Sequence, residues 1–356
     1  MDPVALRASF PVFEQRAYLN AGTCGPLPAT ASEAIDEVLE VAVAEGRAAT
    51  YFEGLTGARD RLRPAYAELL RARPEDVALT TCTSEGIVRV LAGLDLRAGD
   101  EILTSDDEHP GLLGPLAAAR AQRGIDVRSV PFAELADAVS PATTLVACSH
   151  VNWVDGRLAP DFTGLDIPVL LDGAQGVGAV AVDVAALGCA FYAGSGQKWL
   201  CGPVGTGMLW IAPEWSERVA APGPTYMNLE DASAGLDAVP KATAARHDTF
   251  AQSPETLTAA LAALDILGPV GWDAVHERAA TLAETFARML AERGLQVAPR
   301  DRTPLVSWKD PDPPAARDRL ATAGVLIRDL PGRGLLRASV GAWNDESDLE
   351  RLLAAL

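Results

Sequence analysis

The sequence predicts an α/β fold, a mostly parallel seven-stranded sheet sandwiched by helices, followed by a smaller α+β unit. Three observations predict it. Between residues 76 and 211, seven short apolar, β-branched runs alternate with helical patterns, as a parallel sheet covered on both faces requires. The 356 residues suffice for about two domains at roughly 150 residues each. Hydrophobic residues make up 49% and charged residues 22%, the balance of a chain that buries a core.

In chain order, a Gly/Pro-rich turn, AGTCGPLP, precedes what reads as one long helix from Thr30 to about Tyr51. The strand runs are VALTT (77–81), EILTS (101–105), VRSVPF (127–132), TTLVACSH (143–150), PVLLD (168–172), FYAGS (191–195) and GTGMLWI (205–211). Helices open at Ser84 and run from about Leu116 to Arg123. Residues 212–248 are irregular and rich in Pro and Gly. Helices are then expected at Glu255–Ile266 and from Asp273 to about Arg293, strands near 304–308, 325–328 and 335–339, and a last helix from 345. This divides the chain into an N-terminal arm (1–25), a large domain (26–254) and a small C-terminal domain (255–356).

Acidic residues outnumber basic ones 48 to 30, a formal charge of −18. A field of that sign repels phosphate backbones and anionic lipid, so neither nucleic acid nor a membrane is an expected partner. No apolar run reaches the roughly 18 residues of a membrane span. The N-terminus lacks a basic segment followed by an apolar one, so a cytoplasmic location is the expectation. Five cysteines without a CxxC pair fit a reducing compartment, and four histidines without HExxH or a Cys/His cluster give no metal site.

Only three of the 30 basic residues are lysines, Lys198, Lys241 and Lys309. An isolated lysine is ordinarily a solvated surface charge. Lys198, however, lies in FYAGSGQKWLCGPVGTG, a Gly-rich loop after a strand and flanked by aromatics, where open α/β sheets bind ligands. Desolvation there lowers an amine's pKa and makes it a nucleophile that can form a Schiff base. Asp172 ends the strand PVLLD, with Gln175 three residues on. Such a carboxylate is either a turn former or, beside a Schiff-base lysine, the partner that keeps a pyridine nitrogen protonated. In TTCTSEGI, Thr83 and Ser84 mark a helix start whose N–H groups can seat a phosphate. His109, after EILTS, is either a structural histidine or, at a strand's C-terminal end, one that stacks on an aromatic cofactor. Arg337 is either in a surface ion pair or clamps a substrate carboxylate.

These pieces ask for pyridoxal 5′-phosphate (PLP), and their order resembles the class V aminotransferase group of fold-type I PLP enzymes. That group includes cysteine desulfurases, isopenicillin N epimerases and C–S lyases. The likeness runs from YLNAGTCGPLP to LRASVGAWNDESDLERLL and is most specific in DGAQ and SGQKWLCGPVGTG. It implies that Lys198 carries the Schiff base and shuttles the α-proton, that Asp172 pairs with the pyridine nitrogen, and that Gln175 meets the ring's phenolic oxygen. His109 would stack on the ring, and Thr83, Ser84, Ser195 and Gln197 would hold the phosphate. The resemblance further implies a homodimer with shared active sites, Ser253 of FAQSPET reaching the partner's phosphate. Arg337 would bind the substrate carboxylate, aided by Asn20 and Trp153.

Two departures shape the functional expectation. Gln197 stands where many relatives have His, and Trp153 about where desulfurases place an Asn. Desulfurases also carry a sulfur-accepting Cys shortly before the carboxylate-binding Arg, whereas GVLIRDLPGRGLLRAS has none and the last cysteine is Cys201. The expected reaction is therefore β-elimination on a cysteine-derived amino acid by a C–S lyase. Transamination and epimerisation need the same lysine and clamp and stand as alternatives. A non-catalytic PLP-fold binding protein is the alternative of another class, opposed by the intact Lys198, Asp172, Gln175 and Arg337. A dehydrogenase is opposed by the absence of GxGxxG after an early strand.

Overall fold

The computed structural model describes residues 2–356. Asp2 caps α1 (Pro3–Ala8), and the arm continues through β1 (Ala17–Tyr18) into the Gly/Pro turn. The single helix expected from Thr30 to Tyr51 is two helices, α2 (Ala29–Glu45) and α3 (Ala49–Leu69). Gly46, at φ 83°, takes the left-handed backbone that ends α2, a conformation costly for residues with a Cβ. Next come β2 (Val77–Thr80), α4 (Thr83–Gly93), β3 (Glu101–Ser105), α5 (Pro110–Arg123), β4 (Asp126–Val130) and β5 (Thr143–Ser149). Helix α5 starts six residues before the pattern indicated, because His109 caps it and Pro110 supplies a helix-ready φ at its first position. Strands β6 (Val169–Asp172), β7 (Phe191–Ser195) and β8 (Gly207–Ile211) complete the large sheet.

The large sheet has seven strands in the order β2-β8-β7-β6-β5-β3-β4. Its β4-β3-β5-β6-β7 portion is parallel, and β8 runs antiparallel to β7 and β2. Successive strand residues feed opposite faces, the period-2 rule of a sheet buried on both sides. Leu79, Val146, Cys148, Leu171 and Tyr192 pack with Leu62 and Tyr66 of α3, whereas Ala78, Leu145, Ala147, Leu170 and Phe191 pack with Ile87 of α4 and Leu112 of α5.

Beyond it lie α6 (Pro254–Leu267), α7 (Trp272–Glu292), β9 (Leu305–Lys309), α8 (Pro313–Thr322), β10 (Val325–Leu326), β11 (Arg328–Leu330), β12 (Leu335–Ser339) and α9 (Glu346–Ala355). Strands β11, β12 and β9 form an antiparallel sheet, and α7, α8 and α9 share its core of Phe286, Trp308, Leu320 and Leu349. Strand β1 pairs with β10, and Asn20 bridges to Ser339, so the arm is stitched to the C-terminal unit. Leu257 and Leu261 of α6 belong to the large-sheet core. We propose on that ground that the domain boundary falls after α6. No single helix among the described residues is long and apolar enough to cross a membrane.

Candidate active site

Strands β2, β3, β5, β6 and β7 end at the same edge of the sheet, and the loops leaving them carry the candidate residues. The N-terminus of α4 follows β2 without a side-chain cap, so the first-turn N–H groups keep their capacity for an anion. Thr83 Oγ1 and Ser195 Oγ lie 2.6 Å apart beside it, and the Thr83 amide donates to Ser195 Oγ over 3.3 Å. Glu85 accepts from the Thr81 amide and hydroxyl, 2.6 Å each, and is gripped by Arg89, which pins the loop before α4. Ser84 leans towards the start of α5, where a side chain on Gly111 would come within 2.7 Å of its hydroxyl.

Asp172 is buried, and its Oδ1 accepts from the Ala174 amide at 2.9 Å. Its other oxygen accepts no hydrogen bond among the described residues. Asp172 is thus both turn former and free acceptor. Burial pushes its carboxyl up, against the pull of Lys198 and the Ala174 amide. Lys198 sits deep in the site, and burial brings its amine down to about 8; Asp172 opposes this, and Arg337 and Arg328 add to it. An amine so lowered is a usable nucleophile and proton carrier near neutrality.

The lysine loop is held by the N-terminal turn. The Gly25 amide donates to Gln197 O at 2.8 Å, and a Cβ on Gly25 would stand 2.1 Å from the Lys198 carbonyl. Only glycine permits that approach. Gln175 spans the same junction, donating to Gly22 O (2.7 Å) and accepting from Trp199 Nε1 (3.0 Å). Asn20 Oδ1 accepts from Thr23 Oγ1. Gln197 Oε1 is buried without a partner.

His109 accepts the Gly111 amide at Nδ1, which leaves its proton on Nε2. Burial, with the cations of Lys198, Arg328 and Arg337 adding, lowers it to about 4, so the ring is neutral. It stands edge-on to Trp153 at 5.0 Å. Trp153 Nε1 donates to Asp107 O, and its carbonyl accepts Arg337 Nη1 at 2.6 Å.

Arg337 is 0% exposed. The surface ion pair weighed for it is overturned, since β12 runs through the core of the C-terminal unit. Its Nε and Nη2 are buried without partners, as is Ser339 Oγ beside them. An unpaired buried guanidinium is costly unless an anion completes it. Arg328, passed over in the sequence, pairs in register with Arg337 across the β11–β12 hairpin and so shares its face. Its guanidinium lies 5.8 Å from the Trp153 ring and donates to Asp329 O. The signal was the PGRG turn (331–334), centred between the two arginines. Ser253 lies apart from this group in its hydrogen bonding, its side chain capping α6 through Thr256.

A phosphate, a ring nitrogen, a carbonyl carbon and a substrate carboxylate each find a counterpart here: the bare α4 start, the free Asp172 oxygen, the Lys198 amine and the unpartnered Arg337. The residues fit PLP.

Comparison with known proteins adds findings of three kinds. The family model "Aminotransferase class-V" matches residues 17–307. The isopenicillin N epimerase of Amycolatopsis lactamdurans is 29% identical, over 95% of this chain and 94% of its own. A probable cysteine desulfurase of Pseudomonas aeruginosa is 30% identical, over 99% and 97%. Among solved structures, a lysine-to-alanine mutant of C-DES, with glycine covalently linked to its PLP cofactor, superposes with a TM-score of 0.90 at 26% identity over 98% of both chains. The cystine C–S lyase C-DES with its reaction product cysteine persulfide gives 0.89 at 27%, over 97% of this chain and 98% of its own.

Proposed function

The chain belongs to the class V aminotransferase family of PLP-dependent enzymes, and on that premise we propose that it is a β-eliminating C–S lyase acting on a cysteine-derived amino acid. The observation that carries the reading is the β11–β12 hairpin. It brings two guanidiniums to the site, Arg337 and Arg328, on a short turn that holds no thiol. A desulfurase stores sulfur on a cysteine of that segment, as the resemblance implies; here the sulfur leaves with the product. Likeness to the cystine C–S lyase C-DES over nearly the whole chain supports the reading.

When bound, PLP supplies an electron sink for charge developing at the substrate's α-carbon. In this reading Lys198 would hold the cofactor's carbonyl carbon and would serve as the base for the α-proton, Asp172 would pair with the ring nitrogen, and His109 would stack on the ring. Gln175 offers its remaining N–H to the phenolic oxygen. Thr83, Ser84, Ser195 and the α4 amides hold the phosphate, with Gln197 at their margin. Arg337 fixes the α-carboxylate, with Asn20 at the turn beside it. Arg328, against Trp153, meets a second anionic group on the substrate side chain. Loss of the β-thiolate leaves an enamine, which one water hydrolyses, so the products are pyruvate, ammonia and the released sulfur compound. We place the enzyme in the cytoplasm as a homodimer, supported by the exposed apolar residues Val43 and Phe52 of α2 and α3, with Ser253 directed at the partner's phosphate seat.

The test is product analysis with cystine, cysteine, its sulfoxide conjugates and common amino acids. Pyruvate plus ammonia from the sulfur amino acids is expected. A shift to the near-ultraviolet pyridoxamine form with release of an oxo acid would make it an aminotransferase. Inversion at the α-carbon without pyruvate would make it an epimerase, the activity named for the Amycolatopsis relative.

A further inference from the structure

Glu108 is a buried acid beside the site that takes no part in the roles given so far. Asp106, Asp107 and Glu108 follow β3 in sequence, yet they diverge. Asp107 pairs outward with Arg333 of the hairpin turn at 2.6 Å. Glu108 turns inward and is 2% exposed. Its carboxylate accepts Ser105 Oγ (2.7 Å), the Ser149 amide (3.1 Å to each oxygen) and Ser149 Oγ (2.5 Å). Ser105 ends β3 and Ser149 ends β5. Glu108 therefore laces together two neighbouring strand ends, those whose loops carry His109 and Trp153.

The charge around it is one-sided. Ser105 on β3, Cys148 and Ser149 on β5 and Asp172 on β6 are the polar or titratable groups acting on it or acted on by it. None is a cation, and no arginine or lysine forms an ion pair with it among the described residues. Ser149, which Glu108 grips, is the register partner of Asp172, so the two carboxylates are neighbours at the same sheet edge and act on one another. Two buried acids thus share one corner, and among the described residues Asp172 is the one with an oxygen left free of hydrogen bonds. A buried carboxylate without a cation costs stability that an isosteric neutral group recovers.

We propose that Glu108 is a positioning residue for the cofactor: it fixes the turn that carries His109, and its charge, neighbouring Asp172, strengthens the hold on the ring-nitrogen proton. Burial, with Asp172 opposing its ionisation, lifts Glu108 to about 7, against hydrogen bonds that lower it. The charge beside Asp172 thus changes across the neutral range. This rests on the PLP site and not on which reaction follows, so it stands or falls apart from the lyase assignment.

The experiment compares the holoenzyme with Glu108→Gln and Glu108→Ala. The visible absorbance of bound PLP is titrated from pH 5.5 to 8.5, and the melting temperature of each protein without added PLP is followed over the same range. The expected wild-type profile contains a midpoint near 7. Glu108→Gln, which keeps the shape and one acceptor oxygen but removes the charge, is expected to lose that midpoint. Its melting temperature should gain on the wild type as pH rises, because a raised carboxyl pKa withdraws stability from the fold as the group ionises. Glu108→Ala should also bind PLP about tenfold more weakly, because the lacing of two strand ends is lost. An absorbance profile unchanged in Glu108→Gln overturns the proposal, even if stability falls. If that variant takes up no PLP, a melting-temperature difference that does not vary with pH overturns it instead.

Discussion

At the scale of single residues, the site is a set of charges kept short of partners. Arg337 gives one N–H to the Trp153 carbonyl and leaves the other donors waiting. Burial and Arg328 both disfavour its charge, which makes an incoming carboxylate worth more. Replacing Arg337 by Lys removes the fork; charged hydrogen bonds are worth about 1.5–3 kcal/mol, so KM should rise about 10- to 100-fold. Arg328→Ala should separate substrates: about a tenfold KM increase for a disulfide amino acid with two carboxylates, and little change for one with a single carboxylate. Equal effects on both would remove Arg328 from side-chain recognition. The residue types were legible in sequence where a motif surrounded them, as for Lys198 and Asp172. The proposed roles of Arg328 and Glu108 were not, because only hairpin register sets Arg328 beside Arg337 and only the folded turn sends Glu108 inward.

At the scale of elements, strand alternation was legible because two buried faces leave continuous apolar runs. The α2–α3 break escaped because its cause is the φ of Gly46, which apolar periodicity does not encode. Another determinant invisible in sequence is Asp248. It accepts Arg59 Nη2 (2.7 Å), Arg63 Nη1 and Nη2 (3.0 and 2.7 Å) and the Leu79 amide (2.8 Å), tying α3 to β2 across nearly 200 residues of chain. Asp248→Ala leaves two inward guanidiniums unpaired and should cost about 3–5 kcal/mol in denaturant unfolding. A loss under about 1 kcal/mol would mean that the pair is solvated instead.

At the scale of the whole molecule, an anionic protein of charge −18 gathers Lys198, Arg328 and Arg337 around His109. Long-range attraction of an anionic substrate is thereby given up for local capture. The acid side of stability has a definite sign. His109, His150, His247 and His276 are each lowered by burial to about 4. Unfolded, they take protons near pH 6.5, so between 6.5 and 4 the unfolded chain binds more protons and stability falls as pH drops. Glu108, raised to about 7, acts the other way, and so in direction do Asp155 and Asp172, but the four histidines outnumber these three acids. The melting temperature should be lower at pH 5 than at pH 7; an equal or higher value would contradict the burial of these rings.

The central claim is that sulfur leaves with the product instead of resting on the protein. It is tested most directly by turning over cystine with the PLP-loaded enzyme, counting pyruvate and weighing the intact protein afterwards. One pyruvate per cystine consumed, an unchanged protein mass, and no turnover by Lys198→Ala are predicted. With cysteine as the parallel substrate, alanine in place of pyruvate and a protein heavier by one sulfur would contradict the account and make this chain a desulfurase.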